Sequence, residues 1–296
     1  MAAARTERAR SEQRLGWYLA GPAMVVMVAV TGYPMLRAVY LSLFRYRITD
    51  PGERKFIGLK NYATILTDSL WWTDVSTTVI ITVVTVAIEL VIGFAFASVM
   101  HRLIFGRRTV RTSILVPYGI ITVVAAFAWR YAFDINSGFA TDLLGIDTDV
   151  FADRWSALTI IILAEVWKTT PFISLLLLAG LAQVPTELGE AAVVDGATWW
   201  QRLWRVTLPN MKAAIMVALL FRTLDAYRIF DTVFIMTQGA EKTETVSFLA
   251  YRQVISRTEI GLGSAVSVLL FLSVLGIAVL FIKGFRTDLS QVRGEE

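Results

Sequence analysis

The amino-acid sequence predicts an all-α, polytopic membrane fold of six transmembrane helices, with one cytoplasmic helix-turn-helix between the fourth and the fifth. Three observations carry that prediction. Of 296 residues, 56% are hydrophobic and only 18% charged, with a mean hydropathy of +0.60, which is far too apolar for a soluble domain of this length. Six segments are apolar over the roughly 20 residues a helix needs to cross a bilayer. The stretch 185–212 is too polar to cross and too regularly patterned for a linker.

The first span, 16–44, follows Arg5, Arg8, Arg10 and Arg14. A basic start before an apolar run is also the plan of a signal peptide. This run extends from Leu15 to Phe44, too long for an h-region and without a small-residue cleavage site, so it reads as an uncleaved helix. The second span is 76–100, the third 110–133, the fourth 157–182, the fifth 213–236 and the sixth 262–282. The fourth and fifth carry several charges, whereas Ile260 to Ile282 carries none. Trp17, Trp71, Trp72, Trp129 and Trp155 fall near span ends, where an amphipathic ring suits the headgroup layer. Placing both termini in the cytoplasm puts 14 Lys and Arg inside and nine outside, the bias of short cytoplasmic loops. The outer loop after the third span agrees, since Asp134, Asp142, Asp147, Asp149 and Asp153 face only Arg154. The expected organisation is a tail over 1–15, one membrane domain over 16–285 and a tail over 286–296, with no repeat.

Inventory excludes several functions. The chain has no cysteine, so disulfides, thiolate metal sites and thiol nucleophiles are out. The net charge of +4 is spread over short loops, which argues against nucleic acid as a partner. His101, the sole histidine, lies where an apolar run meets an Arg-rich loop and reads as interfacial. No GxxxxGK[ST] phosphate loop is present, so the chain supplies no ATPase of that type.

The segment from Pro185 to Pro209 reads as helix, turn, helix. Thr186 can cap a first helix whose opening turn holds Glu187 and Glu190, suited to the positive end of the helix dipole. Gly196 breaks it. Thr198 with Gln201 fits a capping box for a second helix through Trp199, Trp200, Leu203 and Trp204, which Pro209 should end. An amphipathic helix resting on lipid is the bland alternative.

Within this elbow, Glu190-Ala191-Ala192, Asp195-Gly196-Ala197 and Leu208-Pro209 closely resemble the EAA loop of permease subunits in binding-protein-dependent ABC importers. Val206 stands where that pattern usually has isoleucine. Phe56-Ile57-Gly58-Leu59-Lys60-Asn61-Tyr62 resembles the FxGLxNY signature of the carbohydrate-type permeases. Phe230-Asp231-Thr232-Val233 through Thr237 resembles the end of their fifth core helix, although Gln238-Gly239-Ala240 departs from the usual Gly-Gly-Pro. The resemblance implies the type I importer permease fold, in which Glu190, Ala191, Ala192, Asp195, Gly196, Leu208 and Pro209 dock into the ATPase. It also implies the partners: a second permease, two ATP-binding subunits that carry ATP and Mg, and an extracytoplasmic solute-binding protein. This chain itself would bind no cofactor or metal and catalyse nothing, lying in the bacterial inner membrane and passing a sugar, a disaccharide such as trehalose.

Charges inside the membrane need a reason, because each costs roughly 2.5–3.5 kcal/mol on insertion scales. In the fifth span Arg222, Asp225, Arg228 and Asp231 alternate in sign at spacings of three, so neighbours can pair. On a regular helix this ladder turns about two and a half times and cannot line one cavity. One reading places part of it, with Tyr227 and Thr232, on a wet path that hydrogen-bonds a polyhydroxylated solute. The other is internal pairing that locks the helix to its neighbours. Glu165 and Lys168 in the fourth span repeat the pairing, beside Trp167, Thr169, Thr170 and Pro171. The proline permits a kink, and the aromatic face suits a sugar ring. Glu89 and Arg130 are candidates for a structural pair. A secondary transporter would explain the charges but not the elbow, and an intramembrane enzyme lacks a nucleophile or metal constellation beside its acids.

Overall fold

A computed structural model of the chain describes residues 7–103 and 106–284. Arg5 and the tail 286–296, with Arg286 and Arg293, lie outside the described residues. Helix α1 (Glu7–Ser42) leads into an antiparallel hairpin of β1 (Phe44–Arg47) and β2 (Asp50–Phe56), followed by α2 (Lys60–Thr67) and α3 (Ser69–Arg102). Next come α4 (Arg107–Gly119), α5 (Thr122–Ala132), α6 (Phe139–Leu144) and the long α7 (Arg154–Leu181). The elbow holds α8 (Thr186–Val194), α9 (Trp199–Arg202), a π-turn over Leu203–Thr207 and α10 (Leu208–Asn210). Helices α11 (Lys212–Ala226), α12 (Asp231–Met236), α13 (Val246–Tyr251) and α14 (Ile260–Gly284) follow. Among the described residues the fold is therefore helical apart from one hairpin. α1 begins at Glu7, so the expected tail 1–15 is helical over its second half.

Among the described residues, α1, α3, α7 and α14 are long and apolar enough to cross a membrane, and α4 with α5 counts as a fifth span if that pair, bent by 88°, is taken as one. The expected third span is thus broken. Pro117 supplies no N–H inside α4 and Gly119 ends it, and the Ile120 N–H closes a tight turn on the Pro117 carbonyl at 3.3 Å instead of extending the helix. The expected fifth span, 213–236, is also two helices, of 15 and 6 residues, neither of which reaches the roughly 20 residues of a full crossing.

The chain divides into two compact units, 1–65 with 250–269 and 66–249 with 270–296. In the first unit the hairpin is held by Phe44 opposite Phe56, with their rings edge-on at 5.4 Å. Buried Asn61 donates to the carbonyls of Ser42 and Phe44 at 2.7 and 3.0 Å, and the Tyr62 hydroxyl meets that of Ser42 at 2.7 Å. The Asn-Tyr end of the 56–62 motif is thus a lock on the base of the hairpin.

In the second unit α3 and α7 form the central pair, flanked by α4, α5, α11 and α12. Asp153 starts α7 by accepting from the N–H groups of Trp155 and Ser156. Glycine allows the helices to approach closely. A Cβ on Gly93 would lie 2.8 Å from Ile173 Cγ2, and one on Gly180 would lie 2.4 Å from Ala214 Cβ, the small-residue contact typical of membrane bundles. One apolar cluster joins α3, α5, α7 and α12 through Ile81, Ala126, Leu158, Ile161 and Val233. A second joins α3, α7 and α11 through Ala97, Ile173, Leu177 and Ala218. Trp71 is buried in this unit while Trp72 and Trp155 are exposed, so Trp71 packs in the core and does not join a headgroup belt.

Candidate functional site

The break between α11 and α12 builds the site. Past Tyr227 the backbone tightens: the N–H groups of Arg228 and Ile229 reach back three residues, to Asp225 and Ala226, at 3.1 Å each. Carbonyls released from the helix find side chains, as they must away from water. Arg228 Nε donates to the Leu224 carbonyl at 3.1 Å, and Thr245 Oγ1 to the Ile229 carbonyl at 3.1 Å. The chain then re-enters a helix in a new direction.

Consequently the whole charged ladder opens onto one cavity of about 450 Å³, whose walls include Glu165, Lys168, Thr169, Arg222, Asp225, Arg228, Asp231 and Thr232. A regular helix would have forbidden this arrangement, so the expectation that the ladder cannot line one cavity is corrected by the break. Tyr227 is the candidate left out; it is buried in the core and is not part of the cavity wall. Tyr118, Thr122 and Phe230 join the lining without having been anticipated.

Behind the cavity lies a buried ion cluster. The Arg222 guanidinium, its side chain 1% exposed, donates to Glu89 through Nε at 2.6 Å and Nη2 at 3.0 Å, and to Glu165 at 3.3 Å. Its third arm reaches Asp225 at 2.8 Å, on a side chain that is 64% exposed. Thr169 donates to Glu89 at 2.6 Å, and Thr232 donates to Glu165. One cation thus ties α3, α7 and α11 together, with both hydroxyls directed at carboxylate oxygens, as buried charges require. The expected Arg222–Asp225 pair is present, but it is one arm of a larger fork.

Other pairings differ from the expectation. Glu165 turns toward Arg222 and Thr232, leaving Lys168 over the Tyr118 ring at 5.6 Å; the Glu165–Lys168 pair does not form. Glu89 is taken by Arg222, while Arg130 sits over Phe151 at 4.0 Å. Trp167, Thr170 and Pro171 line a separate apolar cleft of about 430 Å³ with Ile92 and Phe96, so the aromatic surface of the polar cavity comes from Tyr118 and Phe230. Helix α7 runs on through Pro171.

The elbow has the expected plan with two changes. Gly196 adopts φ +76° between α8 and α9, a left-handed conformation that favours glycine. The capping box is complete, with the Thr198 N–H donating to Gln201 Oε1 at 2.7 Å and the Gln201 N–H to Thr198 Oγ1 at 3.4 Å. Thr186 makes no cap; Pro185 takes the capping position of α8. Pro209 does not end the second helix either, because a π-turn widens it just beforehand and absorbs a residue with no N–H to give. Glu190, Ala191, Asp195, Gly196 and Pro209 are exposed, with Ala192 and Leu208 half-buried. Val194, Trp200 and Trp204 also face outward. Beneath, a cavity of about 190 Å³ separates Pro185, Gly189 and Trp199 from Phe94, Ser98 and Leu181, near the ends of α3 and α7. His101 also borders it.

Comparison with known proteins follows these features. The model of the family described as "binding-protein-dependent transport system inner membrane component" matches residues 89–285. The trehalose transport system permease protein SugA of Mycobacterium tuberculosis strain H37Rv is 51% identical over 281 residues, covering 95% of this chain and 92% of that protein. The trehalose/maltose transport system permease protein MalF of Thermococcus litoralis is 35% identical over 286 residues, covering 94% and 96%. A chain in the crystal structure of a bacterial alginate ABC transporter, in complex with an alginate pentasaccharide-bound periplasmic protein, superposes with a TM-score of 0.81 at 19% identity, covering 96% and 98%. At that identity the likeness is one of fold.

Proposed function

This chain belongs to the family of binding-protein-dependent transport system inner membrane components and has the permease fold of ABC importers, and on that premise we propose that it forms half of a translocation pathway for a disaccharide, trehalose. It is a multi-pass membrane protein and a transport subunit. The observation that carries the cargo reading is the polar cavity. Its three acids, Glu165, Asp225 and Asp231, are matched by three bases, Lys168, Arg222 and Arg228. Such a balanced set of donors and acceptors suits a neutral polyhydroxylated solute, and about 450 Å³ lies within the roughly 300–1,000 Å³ of small-molecule sites. Both relatives named above carry trehalose in their names.

The remaining parts follow from this reading. A second permease completes the pathway, two ATP-binding subunits hold and hydrolyse ATP with Mg, and an extracytoplasmic solute-binding protein delivers the cargo. Both termini and the elbow lie on the ATPase side. The elbow, whose second helix is fixed by its capping box and whose turn is made at Gly196, borders the ends of α3 and α7. These two helices also carry Glu89 and Glu165, which grip Arg222. A push on the elbow therefore reaches the cluster behind the cargo cavity through continuous helices.

Uptake of radiolabelled trehalose by proteoliposomes containing the assembled transporter tests this. Uptake that requires ATP and the solute-binding protein is the expected result. Uptake driven by an ion gradient with the ATPase subunits omitted would overturn the reading in favour of a secondary transporter.

A further inference from the structure

The charge of the first unit's hairpin is unusual in two respects. Its register sets Arg45 directly opposite Lys55, and like charges facing each other across strands are destabilising. Residues 44–60 hold five bases (Arg45, Arg47, Arg54, Lys55, Lys60) against Asp50 and Glu53, on the side that, under the proposed orientation, short membrane loops normally keep poor in Lys and Arg. Packing accounts for only part of this charge. Arg54 lies over the rings of Tyr40, Phe44 and Tyr46 at 5.2, 4.7 and 5.4 Å, and Arg47 is ion-paired with Glu259. Arg45 and Lys60 are exposed, and neither is ion-paired among the described residues. Both border a pocket of about 300 Å³ lined also by Tyr46, Asn61 and the paired Arg47 and Glu259.

We propose that this pocket receives acidic side chains of the solute-binding protein, with Arg45 and Lys60 as their counter-charges. The inference rests on the importer reading above. The pocket's own acid, Glu259, is neutralised by Arg47, so a carboxylate on a protein loop that enters the recess meets the Arg45 fork and the Lys60 ammonium as the remaining charges. Charge complementarity of this kind acts mainly on encounter and orientation, as docking that is renewed in every transport cycle requires. Removing the like-charge pressure between Arg45 and Lys55 on binding adds to the attraction.

The test uses the assembled transporter in nanodiscs, with its cognate solute-binding protein loaded with trehalose as the probe. The readout is the binding-protein concentration that half-maximally stimulates ATP hydrolysis. For the wild type this concentration should rise with added KCl, because salt screens exposed charges. For the Arg45→Glu, Lys60→Glu double variant it should be about tenfold higher at low salt and nearly flat with KCl, since electrostatic steering raises association by 10-fold or more. A half-maximal concentration equal to that of the wild type at all salt concentrations overturns the proposal while leaving the importer reading intact. A shift that is seen only when phosphatidylglycerol is added to phosphatidylcholine nanodiscs also overturns it, in favour of lipid. A wild type that the binding protein does not stimulate at all removes the importer reading and the proposal with it.

Discussion

Replacing Glu89 with alanine should be among the most damaging single changes in the chain. Glu89 is fully buried, 133 residues from Arg222 in sequence, and accepts two of the guanidinium's hydrogen bonds at 2.6 and 3.0 Å as well as that of Thr169. Removing one partner of a buried ion pair costs about 3–5 kcal/mol. Arg222 keeps Glu165 at 3.3 Å and Asp225 at 2.8 Å, which places the loss at the lower end, about 3 kcal/mol. With about 2–4 °C per kcal/mol for domains of 150–250 residues, the thermal midpoint of the purified protein should fall by roughly 6–12 °C. Glu89→Gln, which keeps an oxygen for Arg222, should lose less. The triple variant Glu89→Leu, Arg222→Met, Glu165→Gln should recover most of the midpoint, because it removes the cation together with both buried carboxylates that need it. A midpoint for Glu89→Ala within about 2 °C of the wild type would refute the view that this cluster staples α3, α7 and α11.

Gly180→Val should lower the midpoint through about 1–3 kcal/mol of overpacking, because the new Cβ would fall 2.4 Å from that of Ala214, and Ala214→Gly in the same chain should restore part of it. Thr245→Val leaves the Ile229 carbonyl at the break without its donor, so about 1 kcal/mol should be lost and the half-saturating trehalose concentration for uptake should rise; unchanged uptake would show that the break does not depend on this bond. Glu190→Ala and Gly196→Pro should leave the protein inserted but weaken ATPase attachment or uncouple hydrolysis from uptake, since Glu190 is exposed and φ +76° at Gly196 excludes proline. Wild-type uptake in both variants would remove the coupling assignment.

The fold class and the turn of the elbow were legible because their signals are local, whereas the Thr186 cap and the stop at Pro209 gave way to Pro185 and a π-turn. Apolar runs of spanning length, a Thr198–Gln201 capping box and a left-handed Gly196 are each fixed within a few residues of sequence. The bend between α4 and α5 was announced only by Pro117 and Gly119, inside a run whose hydropathy favours continuity. The break in the fifth span was not legible. Nothing near Tyr227 forbids a helix, and the carbonyls released there are satisfied by Arg228, a rung of the charged ladder, and by Thr245, 16 residues on from Ile229. The same holds for partner choice. Helical spacing made Lys168 the near neighbour of Glu165, but the tertiary fold brought in Arg222, a fork with donors enough for three carboxylates. Apart from Tyr227, the candidates lie on one cavity, as membrane-embedded charges need a wet or paired environment wherever they point; the geometry that joins them came from contacts far apart in the chain.

The chain contains no cysteine, which makes the proposal that the polar cavity holds the cargo directly testable by labelling. Single Asp225→Cys and Arg228→Cys variants in the assembled transporter, at exposed positions of the cavity wall, should react with a water-soluble methanethiosulfonate, and saturating trehalose should slow that reaction at both positions. Labelling that proceeds at the same rate with and without trehalose would contradict the proposal that the cavity gathered by the broken fifth helix takes the cargo.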